Sequence, residues 1–157
     1  MEVEIISSSA QQTSEIGRSI GEKLKDGDIL ALSGELGSGK TCFTGGLAVG
    51  LGVDEKYRIT SPTFTLINEY PAKYNLYHFD VYRIEDYSDF EDLGYEEYFC
   101  GKGVVVIEWA EKISAILPAD AILIKFDYLD ENERRIVFKG PESRLKELTI
   151  DIKREVV

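Results

Sequence analysis

The sequence predicts a layered α/β domain, and three observations carry that expectation. Short runs of β-type residues alternate with segments whose apolar residues recur at helical spacing. Val104-Val105-Val106-Ile107 is an unbroken β-branched run, which suits a parallel strand covered on both faces. A glycine-rich segment, Gly34 to Thr41, separates the apolar run Ile29-Leu30-Ala31-Leu32-Ser33 from a helical pattern through Phe43, Leu47 and Leu51. At 157 residues the chain is expected to form one domain over 1–157, large enough to bury about two-thirds of its unfolded surface.

The elements follow in order. Glu2 to Ile6 reads as a first strand, and the helix after Ser7-Ser8-Ser9 carries Ile16, Ile20 and Leu24 on one face. The turn Asp26-Gly27-Asp28 opens the strand 29–33, and Gly52 ends the helix after the glycine segment. Ser61-Pro62-Thr63 marks a loop, because proline pushes the preceding residue out of the helical region. Thr63 to Tyr70 and Tyr74 to Tyr82 read as a hairpin joined by Pro71-Ala72-Lys73. Leu76, His78, Asp80 and Tyr82 are expected on one face of its second strand. Residues 85–100, acidic and aromatic, suit short helical turns. Asp120 to Phe126 and Arg134 to Phe138 read as an antiparallel pair, and Pro141-Glu142 starts a closing helix with Leu145 and Leu148.

The glycine segment is where chemistry enters. Gly34-Glu35-Leu36-Gly37-Ser38-Gly39-Lys40-Thr41 fits G-x-x-x-x-G-K-[ST] and lies between a strand and a helix start. Backbone N–H groups and the helix dipole at that position attract a polyphosphate. Lys40 would then reach the β- and γ-phosphates, and the Thr41 hydroxyl would ligate Mg²⁺. Glu108 ends the run 104–107, where an acid at the carboxyl end of a central strand holds Mg²⁺ or its waters. Asp80 is the second candidate acid; one acid serves the metal and the other the attacking water, and the residues alone leave both assignments open. His78 reads as a structural histidine, Trp109 as a packing residue, and Ser61-Pro62-Thr63 as either a γ-phosphate-sensing switch or a plain turn.

Composition narrows the function. The net charge is −11, from 29 acids against 18 bases with no basic run, which argues against independent nucleic-acid binding. Cys42 and Cys100 form no C-x-x-C pair, and with one histidine there is no zinc-ligand set. A reducing, cytoplasmic setting is expected, with no signal peptide and no apolar run of membrane-spanning length. There is no N-K-x-D guanine-reading segment. No arginine lies between Arg83 and Arg134 to clamp a small anionic acceptor, so a small-molecule kinase is the weaker alternative to a nucleoside triphosphate hydrolase; a nucleotide-gated binding module is a third. Lys40 and Arg83 are the cations expected nearest the phosphates.

Four blocks occur in order: the glycine loop 34–41, Ser61-Pro62-Thr63-Phe64-Thr65-Leu66, His78-Phe79-Asp80-Val81-Tyr82-Arg83, and Ile107-Glu108-Trp109. Together they resemble the TsaE (YjeE) family, ATPases of tRNA threonylcarbamoyladenosine synthesis. The resemblance implies a P-loop NTPase-like, three-layer α/β fold with central parallel strands and flanking antiparallel ones. It also implies an Mg²⁺-dependent, accessory ATPase acting with TsaD- and TsaB-family proteins on adenosine 37 of tRNAs reading ANN codons, with tRNA contacted only indirectly. By position, Gly37, Ser38, Gly39, Lys40, Thr41 and Cys42 would wrap the phosphates of ATP. Thr41 and Glu108 would hold Mg²⁺, and Asp80 would support hydrolysis. Thr13 would lie beside the adenine, flanked by Arg134 or Arg135. Ser38 and Cys42 stand where the family often has alanine and threonine.

Overall fold

The structure is a computed structural model and describes residues 1–60, 62 and 66–152. Its frame is one seven-stranded sheet of order β1-β7-β6-β2-β5-β4-β3, with β1 Glu2–Ser7, β2 Ile29–Gly34, β3 Ile67–Tyr70, β4 Leu76–Asp80, β5 Val104–Glu108, β6 Ile122–Tyr128 and β7 Arg134–Lys139. β6, β2, β5 and β4 run parallel in the centre, while β7, β1 and β3 are antiparallel to their neighbours. All five residues of β5 are buried, as its β-branched run requires of a strand covered on both faces.

Helices cover the two faces. One face packs α1 Ala10–Gly21, α2 Lys40–Leu51 and α5 Glu142–Thr149 over a core that includes Ile16, Ile20, Phe43, Leu47, Phe126, Phe138, Leu145 and Leu148. The other packs α3 Tyr87–Glu91, α4 Tyr95–Phe99 and a 3-10 segment, Ala110–Ile116, over Phe79, Phe90, Val105, Ile107 and Ile113. Ser9 caps α1 by accepting the Gln12 N–H at 3.0 Å. Gly52 ends α2 in the left-handed region, φ 96°, with its N–H on the Ala48 and Val49 carbonyls.

α1 and α2 touch backbone to backbone. A Cβ added at Gly17 would lie 2.2 Å from the Phe43 carbonyl oxygen, and one at Gly46 would lie 1.9 Å from that of Ser14. The interface is therefore made of missing side chains. It braces the start of α1 against the start of α2, where Cys42 Sγ donates to the Ala10 carbonyl at 3.1 Å.

The hairpin differs from expectation in its connection. Tyr70 pairs with Leu76, so the link is residues 71–75 rather than 71–73. Pro71 has no N–H to extend the ladder, and the Asn75 carbonyl instead accepts from Val104 at 2.8 Å. Among the described residues the first strand is Ile67–Tyr70, with Leu66 at φ 68° before it, and positions 63–65 of the expected strand lie outside the described residues. Tyr82 lies beyond β4 and is exposed, whereas Leu76, His78 and Asp80 are buried on it. The proposed switch at Ser61 and Thr63 falls outside the described residues. Among the described residues, no helix is long and apolar enough to cross a membrane.

Candidate active site

The carboxyl ends of β2, β5 and β4 converge, because these strands are parallel neighbours: Gly34 ends β2, Glu108 ends β5 and Asp80 ends β4. Asp80 and Glu108 are direct cross-strand partners in the β4–β5 register. β7 runs the opposite way, so its first residue, Arg134, arrives at this same end. Such a crevice at strand ends is where α/β sheets bind ligands.

The loop from β2 to α2 shapes the crevice. Gly34 adopts φ 143°, and a Cβ there would meet the Phe126 carbonyl oxygen at 2.6 Å and Ser38 Oγ at 2.8 Å. Gly39 precedes α2 at φ 105°. The first-turn N–H groups of a helix have no intrahelical acceptor, so those of Lys40, Thr41 and Cys42 face the opening. The opening is a cavity of about 510 Å³ lined by Gly37, Ser38, Gly39, Lys40, Thr41, Cys42, Asp80, Glu108 and Arg134, among others. That volume is in the range of small-molecule sites.

Lys40 is buried, and its ammonium is turned onto its own loop. Nζ donates to the Gly34 carbonyl and, at 3.0 Å, to the Glu35 carbonyl, and lies 3.9 Å from the centre of the Trp109 ring. Burial pushes its pKa below the usual lysine range, against the opposing pull of Glu111, Glu108 and Asp80. Across the cavity floor, Thr41 Oγ1 donates to Glu108 Oε1 at 2.8 Å, while His78 Nε2 donates to Glu108 Oε2 at 2.5 Å. Asp80 Oδ1 accepts the Tyr82 N–H at 2.9 Å. Ser38 Oγ is buried without a hydrogen-bond partner among the described residues.

These residues fit a hard divalent cation. Thr41 and Glu108 place a hydroxyl and a carboxylate oxygen side by side, with a second carboxylate on the neighbouring strand, an all-oxygen set of the kind Mg²⁺ prefers. Two carboxylates would also repel a polyphosphate unless a cation came between them.

A family model described as "Threonylcarbamoyl adenosine biosynthesis protein TsaE" matches residues 7–136. The chain belongs to the TsaE family. It is 45% identical to the tRNA threonylcarbamoyladenosine biosynthesis protein TsaE of Treponema pallidum over 131 residues, 83% of this chain and 96% of that protein. The Bacillus subtilis protein of the same name is 43% identical over 145 residues, 92% of this chain and 89% of its own length. The crystal structure of Bacillus subtilis YdiB superimposes with a TM-score of 0.81 at 35% identity, covering 98% of this chain and 95% of that one. The fold is accordingly P-loop NTPase-like, with the parallel centre and antiparallel flanks that the family resemblance implied.

Within this TsaE-family site, the residues expected from sequence divide by position. Gly37 through Cys42, Asp80, Glu108 and Arg134 line one cavity. Arg134 donates to the carbonyls of Asp130, Glu133 and, at 3.2 Å, Gly37, and its guanidinium lies 4.5 Å from the Tyr128 ring centre. Arg135 points elsewhere and pairs with Glu4 on β1 at 3.2 Å. Thr13 is buried, its hydroxyl shared with Ser7 at 2.6 Å and bonded to the Ser9 carbonyl at 3.2 Å; Ala10, one turn earlier, is the α1 residue on the cavity wall. Arg83 is not among the lining residues, and Arg134 is the arginine that is.

Three contacts escaped the sequence reading. Trp109, at φ 63°, packs as expected, but its ring lies over the loop lysine and against Tyr82 at 4.8 Å. Glu111 Oε2 accepts the Gly34 N–H at 3.1 Å, gripping the first loop residue from the 3-10 segment. His78 holds Glu108. Strand parity places His78 on the Asp80 face, which was the one available signal; the other two depend on the turn after Glu108.

Proposed function

We propose that the protein is an Mg²⁺-dependent ATPase, an accessory subunit in threonylcarbamoyl modification of adenosine 37 of tRNAs that read ANN codons. Its partners in this reading are proteins of the TsaD and TsaB families. Family membership supports the pathway, through relatives named for tRNA threonylcarbamoyladenosine biosynthesis. The observation that carries the chemistry is the Thr41 hydroxyl 2.8 Å from the Glu108 carboxylate, at the mouth of a glycine loop.

Each residue then has a task. The loop amides and the start of α2 bind the phosphates, and Lys40 leaves its own carbonyls to join them. Thr41 and Glu108 hold Mg²⁺, which when bound offsets phosphate charge and polarises the transferring group. Asp80, the cross-strand neighbour of Glu108, orients the attacking water and accepts its proton. Arg134, stacked on Tyr128, flanks the base end of ATP. The acidic chain leaves tRNA to its partners.

Calorimetric titration of ATP with and without Mg²⁺ tests the metal assignment. Thr41→Ala and Glu108→Gln should lose the Mg²⁺-dependent gain in affinity while keeping the Mg²⁺-independent part. Asp80→Asn should bind ATP with Mg²⁺ normally and lose turnover by roughly 10²–10⁴-fold, the range for a general base. Unaltered Mg²⁺ dependence in both metal-site variants would refute the assignment.

A further inference from the structure

We propose that His78 is a positioning residue that aims Glu108 at the metal site, an inference that rests on the metal reading above. His78 lies inside β4 at 0% exposure, and Glu108 ends β5 at 2%. In the parallel register His78 sits opposite Val106 and Asp80 opposite Glu108, so the imidazole reaches Glu108 on the diagonal from beneath. The carboxylate is thereby divided: Oε2 takes the His78 Nε2–H and Oε1 takes the Thr41 hydroxyl. One oxygen is held by an imidazole inside the sheet and the other by the hydroxyl of a cavity-lining residue.

That division matters for a small, hard cation. Mg²⁺ requires near-octahedral geometry and short bonds, and is poorly served by a carboxylate free to turn or to offer both oxygens. A hydrogen bond to the far oxygen fixes the near one, and such supporting bonds tune metal affinity. Packing alone does not account for an imidazole here. Its Nδ1 is buried with no partner among the described residues, a cost that phenylalanine or leucine would avoid in the same space. Nor is His78 among the residues lining the cavity, so it acts through Glu108 rather than on the reacting atoms.

Mn²⁺ is the probe, its binding counted by electron paramagnetic resonance on the full chain with a non-hydrolysable ATP analogue. His78→Phe should weaken Mn²⁺ binding about 10–100-fold, with metal-free nucleotide affinity unchanged. His78→Gln, whose amide N–H can replace Nε2–H, should recover most of the loss. If the phenylalanine variant shows no folded thermal transition, His78→Asn replaces it with the same expectation, because its shorter amide stops short of Glu108. Glu108→Gln calibrates the site. Full Mn²⁺ affinity in His78→Phe beside a weakened Glu108→Gln overturns the role of His78 and leaves the metal assignment standing. Unchanged affinity in both overturns the assignment and this inference with it.

Discussion

Lys40 holds its charge against two carbonyls and an indole, all of which must give it up when phosphate arrives. Burial lowers its pKa, and an anionic ligand would raise it again. The sign follows directly: between the lowered free value and the raised bound value, the complex carries more proton than the free protein. ATP binding should therefore take up protons at alkaline pH, with uptake vanishing as pH falls well below the free value, where Lys40 is already charged. Calorimetry in two buffers of different ionisation enthalpy measures this directly, and Lys40→Met should abolish the alkaline uptake. Trp109 is the single tryptophan of the chain, so its fluorescence should change when ATP draws the ammonium from its ring. An unchanged spectrum on saturation would mean that Lys40 stays in place. The loop residues were legible because they are contiguous and each has a local reason. His78 on Glu108, Trp109 under Lys40 and Glu111 on Gly34 were not, since they depend on rotamers and on a left-handed residue after β5.

Two adjacent glycines separate packing from propensity at the scale of the helix pair. Gly46 faces α1, where an added Cβ would sit 1.9 Å from a carbonyl oxygen, whereas nothing lies within 4 Å of the same atom at Gly45. Gly46→Ala should destabilise the fold by about 1–3 kcal/mol or more, as overpacking does. Gly45→Ala should instead stabilise it by about 0.4–1 kcal/mol, because alanine suits a helix interior better. Denaturant unfolding of both variants checks the opposite signs; equal effects would mean that the two helices do not meet as described. Gly46→Ala should also disturb nucleotide binding, because the same contact sets Ala10 against Cys42 at the cavity wall. Helical periodicity marks only side chains that are present, so an interface of glycines is silent to it. Strand identity was easier: β5 announced itself by its β-branched run, while the five-residue link in the hairpin depended on where the Asn75 carbonyl found a donor.

For the molecule as a whole, net charge and topology act together. The sheet gathers one lysine and one arginine at the cavity among the described residues, and Arg134 is committed to backbone carbonyls. A transition-state arginine is worth roughly 10³–10⁵ in rate in other phosphate-loop enzymes. Hydrolysis by the isolated chain should accordingly be slow and should rise when a partner completes the site. With a net charge of −11, the chain should hold a basic partner surface less tightly as salt increases, which a salt series of the binding constant would show. The proposed ATPase activity is tested most directly by the fate of labelled γ-phosphate from ATP, followed with Mg²⁺, alone and with purified TsaD- and TsaB-family proteins. The expected product is inorganic phosphate, released slowly alone and faster with partners, and lost in Glu108→Gln and Asp80→Asn. Transfer of the label to a small-molecule acceptor, or the absence of phosphate release in every combination, would contradict that proposal.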